Sequence, residues 1–135
     1  MATGFTRWAA SEILKEWINS NTWVCLSTTT PDENGNNFTE PPLLNGYTRQ
    51  RFGAPITSIE GQIANAYIIF LFEATGDCGS ITHVGLAREQ SRNTRPFLVA
   101  ELYAPLSIGV GYVPLIRAKQ FIVGLDKEVL EAYPE

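Results

Sequence analysis

The residue best suited to acid–base chemistry is His83, the only histidine in the chain. In the run from Ile81 to Gly85 apolar residues alternate, so His83 is predicted to face the same side of a strand as Ile81. A catalytic imidazole needs a nucleophile beside it and a carboxylate to orient it. The chain has neither a G-x-S-x-G nor an H-E-x-x-H segment. We therefore expect a core histidine whose ring nitrogens bond to the backbone or to Thr82.

Carboxylates are the second kind of side chain that could take part in catalysis, since a pair of them could cleave a glycosidic bond. That mechanism depends on their separation, which a sequence does not define. Glu73 and Glu101 flank apolar stretches, so we expect them at strand ends, in water or paired with arginine. The remaining candidates are Asp32, Glu33, Glu40, Glu60, Asp77 and Glu89. No other catalytic pattern accompanies them, and we predict that the protein is not an enzyme and carries no cofactor.

The two cysteines, Cys25 and Cys78, are too few and too far apart in sequence to predict a metal site. Cys25 lies in the apolar run Trp23–Leu26, where a buried small hydrophobe is expected. A disulfide between the two thiols is left open. The glycines Gly109 and Gly111 precede no helix and no Lys-Ser/Thr pair, so they do not predict a phosphate-binding loop.

The net charge of the chain limits the classes of partner that it is expected to bind. A formal net charge of −4 argues against nucleic acid, because duplex binding needs a basic face. Two arginine groups, Arg49 with Arg51 and Arg88 with Arg92 and Arg95, are predicted to be solvated loop charges. No signal peptide is visible at the amino terminus, and no apolar run has the length of a membrane span. We expect neither a membrane nor a nucleic acid as partner.

The elements that must position these side chains are mostly short strands. Residues 6–19 predict one amphipathic helix with Thr6 as its N-cap, because Ala10, Leu14 and Ile18 recur on one face. Three apolar runs, 67–72, 81–87 and 97–103, are separated by turn-forming residues. We predict that they form an antiparallel meander at the core of the protein, with the first strand buried on both faces.

Shorter strands complete the prediction: residues 22–29, an edge strand at 47–52, an irregular strand within 55–66, an edge pairing at 114–117 and a last strand at 120–125. One helix and several short strands separated by turns predict a mainly β fold, with a single domain over residues 1–135. The expected architecture is an antiparallel β-sandwich or jelly-roll-like barrel with one N-terminal helix. Residues 126–135 are predicted to be an acidic tail with a short helix near 127–132.

Several segments, taken in order, resemble a known family. The most specific are L-S-T-x-x-P at Leu26–Pro31 and G-x-x-T-H-x-G at Gly79–Gly85. Others are Phe38–Pro41, Gly46–Arg49, Glu73–Gly76, Gly109–Gly111 and Phe121–Asp126. Over about residues 6–126 the chain resembles a family of small bacteriophage and prophage virion structural proteins that are often described as tail-fibre-like. It departs from that family in two loops, 88–93 and 117–120.

The resemblance implies a component of the virion, made in the host cytoplasm, whose partners are the major capsid protein or other virion proteins. A fibre shaft needs a long repetitive segment, and the chain has none. A small acidic sandwich suits a protein clamped onto a larger shell in many copies, often as a homo-oligomer. The expected function is therefore head decoration (a cement protein). The alternatives are a small tail, collar or baseplate component and, more weakly, a carbohydrate-binding module.

Two loops are the predicted contact surface for a virion partner, because their prolines limit the entropy lost on docking. The first covers residues 31–45 and the second covers 104–114. The predicted contact residues are Trp8, Asn36, Asn37, Phe38, Pro41, Pro42, Leu43, Pro105, Tyr112 and Pro114. If the protein instead bound a glycan, the exposed aromatic residues expected to do so are Trp8, Tyr47, Tyr103 and Tyr112.

Overall fold

The computed structural model of the chain describes residues 6–57, 62–92 and 94–124. In chain order its elements are α1 (Arg7–Trp17), β1 (Trp23–Ser27), β2 (Gln50–Arg51), β3 (Pro55–Thr57), β4 (Ile63–Asn65), β5 (Ile69–Phe70), β6 (Gly79–Ala87), β7 (Leu98–Ile108), β8 (Leu115–Ile116) and β9 (Ile122–Val123). The predicted acidic tail, the end of the predicted last strand at Leu125, and Glu60 lie outside the described residues, and the single-domain boundaries stay a prediction.

Helix α1 confirms the predicted amphipathic helix. The Thr6 hydroxyl accepts a hydrogen bond from the Ala9 N–H at 3.1 Å, which satisfies one of the free donors of the first turn. Ala10, Leu14 and Ile18 are buried on the face that the spacing predicts. The helix therefore covers one side of the β core with a narrow apolar stripe.

The largest sheet has four strands in the order β2–β1–β6–β7, and every pairing is antiparallel. Strand β1 pairs along its whole length with β6, from Trp23 opposite Ala87 to Ser27 opposite His83. Most residues of β1 and the second half of β6 are buried, as expected for strands covered on both faces. These two strands form the centre of the fold.

Two smaller antiparallel sheets face this one and give the sandwich-like arrangement: β3–β4–β9 and β5–β8. The buried Asn65 joins them at one end. Its Nδ2 donates to the carbonyls of Tyr67 and Arg117 at 2.8 Å each, and its Oδ1 accepts from the Phe121 N–H at 2.9 Å. One side chain thereby satisfies three backbone groups where irregular segments meet. The mainly β, antiparallel, sandwich-like prediction is confirmed.

The predicted central strand at 67–72 is wrong. Only Ile69 and Phe70 form a strand, and their partner is β8, not β6. Tyr67 and Phe70 are exposed. The segment runs instead along residues 112–116, because Leu71 and Ala74 donate their N–H groups to the carbonyls of Pro114 and Tyr112 at 3.0 Å each. The meander is therefore reduced to the β6–β7 hairpin, and β1 takes the place of its third strand.

Strand β7 is longer than the predicted 97–103 strand, because it continues through Pro105 to Ile108. Proline is tolerated there since β7 lies at the edge of the sheet. The register with β6 also shifts at this point: Ile81 pairs with Leu106, whereas His83 pairs with Glu101. The extra residues of β7 form an irregularity that bends the edge strand and leaves Tyr103 projecting into solvent.

Candidate functional site

His83 confirms the prediction of a core histidine. Its side chain is buried, and its Nδ1 lies 2.8 Å from the Thr82 hydroxyl. Its two register partners are Ser27 on β1 and Glu101 on β7. Among the described residues, the side-chain hydrogen bond of the ring is to the Thr82 hydroxyl, and no side-chain hydrogen bond joins the ring to a carboxylate. The position is that of a packing residue.

The described residues contain no group of three or more His, Cys, Asp or Glu side chains placed to hold a metal ion. Cys25 and Cys78 are both free thiols, so the disulfide left open by the sequence is not formed. Burial raises the pKa of the Cys25 thiol to about 12, and the thiol is therefore uncharged at neutral pH. Cys25 is the buried small hydrophobe that its sequence neighbours predict.

Glu40 is the centre of a buried polar cluster that the sequence did not reveal. Its carboxylate accepts from Arg49 Nε at 2.8 Å and from the Tyr47 hydroxyl at 2.6 Å, and Arg92 Nε lies 3.5 Å away. Arg49 also donates to the carbonyls of Glu89 and Thr94 at 2.9 and 2.7 Å. The prediction that Arg49 is a solvated loop charge is wrong, and Tyr47 is too deeply buried to stack on a glycan.

The chemistry of this cluster is structural. In the part of the chain that the structure describes, every buried side-chain nitrogen or oxygen has a hydrogen-bond partner. Burial and the neighbouring Glu40 carboxylate raise the pKa of the Tyr47 hydroxyl, so it remains a hydrogen-bond donor. The cluster links the loop at 38–42 to the loop at 89–96 through the hydrogen bonds that Arg49 and Arg92 donate to backbone carbonyls.

The residues predicted to contact a partner separate into exposed and buried ones. Asn36, Asn37, Pro42, Leu43, Pro105, Tyr112 and Trp8 are exposed, and Phe38 is half-buried. Pro41 and Pro114 are buried, so neither is available as an exposed contact residue. Pro41 follows the buried Glu40, and the Pro114 carbonyl accepts the hydrogen bond from Leu71.

The structure brings part of the two predicted loops together. The Thr75 N–H donates to the Asn45 carbonyl at 2.9 Å, and the Ala74 N–H donates to the Tyr112 carbonyl at 3.0 Å. Residues 43–45 and Tyr112 thus flank the same short segment. Leu44, which the sequence reasoning did not single out, is 92% exposed beside Leu43. Trp8 lies apart, on the solvent side of α1.

A groove between β7 and the chain around β8 and β9 is an apolar feature that the sequence did not predict. We call it the apolar groove; it has a volume of about 520 Å³. The core residues Leu26, Leu71, Ile81 and Val84 reach its floor. Its sides are formed by Ala100, Leu102, Tyr103, Ala104, Leu106, Pro114, Leu115, Ile116, Gln120, Phe121 and Ile122. Pro114 is thus part of the groove, although it is buried.

The rim of the apolar groove exposes large hydrophobic side chains. Tyr103 is fully exposed, Ile122 is 56% exposed and Leu115 is 41% exposed. None of the described residues that line the groove carries a charge. Monomeric proteins rarely leave an apolar area of this kind open, so it indicates a contact site. The nearly continuous apolar run from Leu98 to Leu106 was a usable signal, because a strand that is apolar on both faces needs a second covering layer.

Comparison with known proteins shows the family to which the chain belongs. The family model described as Podophage GP4 fiber I protein gp80 matches residues 18–124. The match includes every strand of the described structure and leaves out α1. The sequence has no significant match among curated proteins. The chain belongs to the podophage fibre I protein family, and it is a structural protein of the bacteriophage virion.

Proposed function

We propose that this chain is a subunit of the tail-fibre apparatus, with no catalytic role, that attaches to another virion protein through the apolar groove. The description of the family as a fibre protein supports the tail over the head. The observation that carries the proposal is the groove itself: an uncharged channel whose floor is formed by core residues. Covering such a surface provides the main driving force for protein association.

The position of the groove favours an extended apolar segment as its occupant. It lies beside β7, whose outer edge has no strand partner among the described residues. An extended segment placed there would put alternate side chains into the groove and leave the others in solvent. Pro105 and the irregular register between Leu102 and Pro105 disfavour continuous strand pairing along that edge. We therefore expect the side chains in the groove to supply most of the binding energy.

Head decoration is the second candidate, with the major capsid protein as its partner. The chain has no repeated segment from which a fibre shaft could be built, and its described residues form one small sandwich. A compact subunit of this kind also suits a shell to which it binds in many copies.

Purified virions distinguish these assignments. We expect a copy number far below that of the major capsid protein, and antibody label at the tail in electron micrographs. A copy number near that of the major capsid protein, with label over the shell, would reject the tail assignment in favour of head decoration. If washed virions did not contain the protein, both assignments would be wrong.

A further inference from the structure

A second surface feature, separate from the apolar groove, has the composition of a ligand site. We call it the aromatic cleft; it has a volume of about 500 Å³ and is open to solvent. Trp23, Gln50 and Arg51 line it from β1 and β2, and Tyr67 and Phe70 line it from the segment around β5. The other lining residues are Phe52, Ile68, Ile69 and Gln90. The aromatic cleft and the apolar groove share no lining residue.

The aromatic rings of the cleft are available to a ligand. Tyr67 is 72% exposed and Phe70 is 61% exposed, although both belong to the most apolar run of the sequence. Trp23 is half-buried, and the Arg51 guanidinium lies 4.8 Å from the centre of its ring. This stacking holds Arg51 at the edge of the cleft. The rings offer flat apolar surfaces that lose little conformational entropy on binding.

Planar polar groups accompany the rings. The Gln50 amide donates to the Thr48 hydroxyl at 2.8 Å, which leaves its carbonyl oxygen as an acceptor. Arg51 uses Nη1 to donate to the Ser20 carbonyl at 2.9 Å, and a guanidinium has further N–H donors besides that one. Gln90 supplies a second carboxamide. Carboxamides and guanidinium groups can each make two parallel hydrogen bonds to adjacent oxygen atoms.

We propose that the aromatic cleft binds a saccharide, a function beyond the structural role proposed above. A pyranose ring has one face of C–H groups, which can lie on Tyr67 or Phe70, and a rim of paired hydroxyls, which match Gln50, Arg51 and Gln90. The volume suits a few sugar units, since small-ligand sites measure about 300–1,000 Å³. A purely apolar ligand would leave the polar rim unpaired, and the net charge of −4 disfavours nucleic acid.

The test uses the full chain and an array of immobilised bacterial O-polysaccharides and synthetic neutral and acidic oligosaccharides. For the oligosaccharide that binds best, Tyr67→Ala is expected to raise the dissociation constant about tenfold or more, because it removes an aromatic contact. Tyr103→Ala is the matched control: it removes another exposed tyrosine, which lies in the apolar groove, and should change the constant less than about twofold. Amide shift changes in ¹⁵N spectra should centre on Trp23, Tyr67 and Gln90.

Three results would overturn the proposal. The first is the absence of any bound saccharide at millimolar concentration. The second is binding whose shift changes centre outside the cleft. The third is equal weakening by the two variants. Copy number and location in the virion do not depend on any of these results. The structural role and the saccharide site are therefore tested by independent measurements. If the wild-type protein bound no saccharide, and Tyr67→Ala removed another virion protein from the assembled particle, the cleft would be a protein contact.

Discussion

Glu40 is the residue on which the loops of the large sheet converge. Its carboxylate is held by Tyr47 and Arg49, and its carbonyl accepts from Arg92 Nη2 at 2.9 Å. A buried ion pair adds little net stability over an apolar pair, but breaking it leaves a charge without compensation. Its role is therefore to specify one arrangement of the loops at 38–42 and 89–96.

The first prediction concerns this buried pair. Arg49→Met should lower the free energy of unfolding by about 3–5 kcal/mol, because Glu40 and two carbonyls lose their donors. Arg51→Met, at an exposed residue of β2, is the control and should cost less than about 1 kcal/mol. Urea unfolding at pH 7 measures both. Adding Glu40→Gln to Arg49→Met should recover part of the loss. Equal costs for the two single variants would contradict the structural role of the pair.

The second prediction is a loss of stability at alkaline pH. The Cys25 thiol has a pKa of about 12 in the folded chain, and about 8.5 is expected when it is unfolded. Between these values the unfolded chain binds fewer protons, so stability is complete below about pH 8.5 and falls above it by about 1.4 kcal/mol per pH unit. Cys25→Ala should remove that part of the slope.

Urea midpoints for wild type and Cys25→Ala between pH 7 and 11 measure this difference. Burial also raises the pKa of Tyr47, whose contribution is common to both proteins and cancels in the comparison. Parallel curves for the two proteins up to pH 11 would show that Cys25 is not protected from ionisation.

His83 and Arg49 show which residues the sequence predicts well. The alternation around His83 is local, so its burial and its bond to Thr82 follow from its neighbours. The prediction that Arg49 is solvated is wrong because its partners are distant in sequence. Glu40 lies nine residues away, and the Glu89 carbonyl lies 40 residues away. Nothing within a local window distinguishes such an arginine from a solvated one.

At the scale of elements, the strands that the sequence predicts well are those that pair with a near neighbour. The β6–β7 hairpin and helix α1 follow from local periodicity and turn residues. The position of β5 does not, because an apolar run contains no information about which strand it will pair with. It pairs with β8, so Ile69 reaches the core from β5 itself, and Leu71 and Phe72 reach it beyond the end of the strand.

A turn at Gly46 holds this segment in place, and a glycine series tests it. Gly46 has φ +90°, and an added Cβ would meet the Glu73 carbonyl oxygen. Gly46→Ala should therefore cost about 3 kcal/mol or more, from left-handed strain together with overpacking. Gly53 has φ +83° and open space around it, so Gly53→Ala should cost about 1–2 kcal/mol.

Gly109 completes the series, because it has open space and no positive φ. Gly109→Ala should be neutral or slightly stabilising, by up to about 1 kcal/mol. Urea unfolding of the three variants separates backbone strain from steric overlap. If Gly46→Ala cost no more than Gly53→Ala, the turn would not be packed against Glu73.

At the scale of the whole molecule, two surfaces are separated in sequence and in composition. The apolar groove uses β7 and the chain from 114 to 122, whereas the aromatic cleft uses β1, β2 and the segment around β5. One surface lacks charge, and the other combines rings with planar polar groups. A structural subunit can therefore attach to its neighbours through one surface while the other remains free for a ligand.

The last prediction tests this division in the assembled virion. Tyr103→Asp places a charge on the rim of the apolar groove, where docking would remove it from water. The variant should weaken attachment by about 2 kcal/mol or more, about 30-fold in dissociation constant, which is typical of a central interface residue. Because Tyr103 is fully exposed, its free energy of unfolding should change by less than about 0.5 kcal/mol.

Tyr67→Asp is the matched control, since Tyr67 is also exposed but lies in the aromatic cleft. Virions produced with each allele are washed, and the amount of the protein is measured by mass spectrometry against the major capsid protein. We expect depletion for Tyr103→Asp and wild-type content for Tyr67→Asp, because only the first variant alters the groove. Wild-type content for Tyr103→Asp, with both variants folded, would place the attachment surface elsewhere and make the exposed residues 42–44 the next region to test.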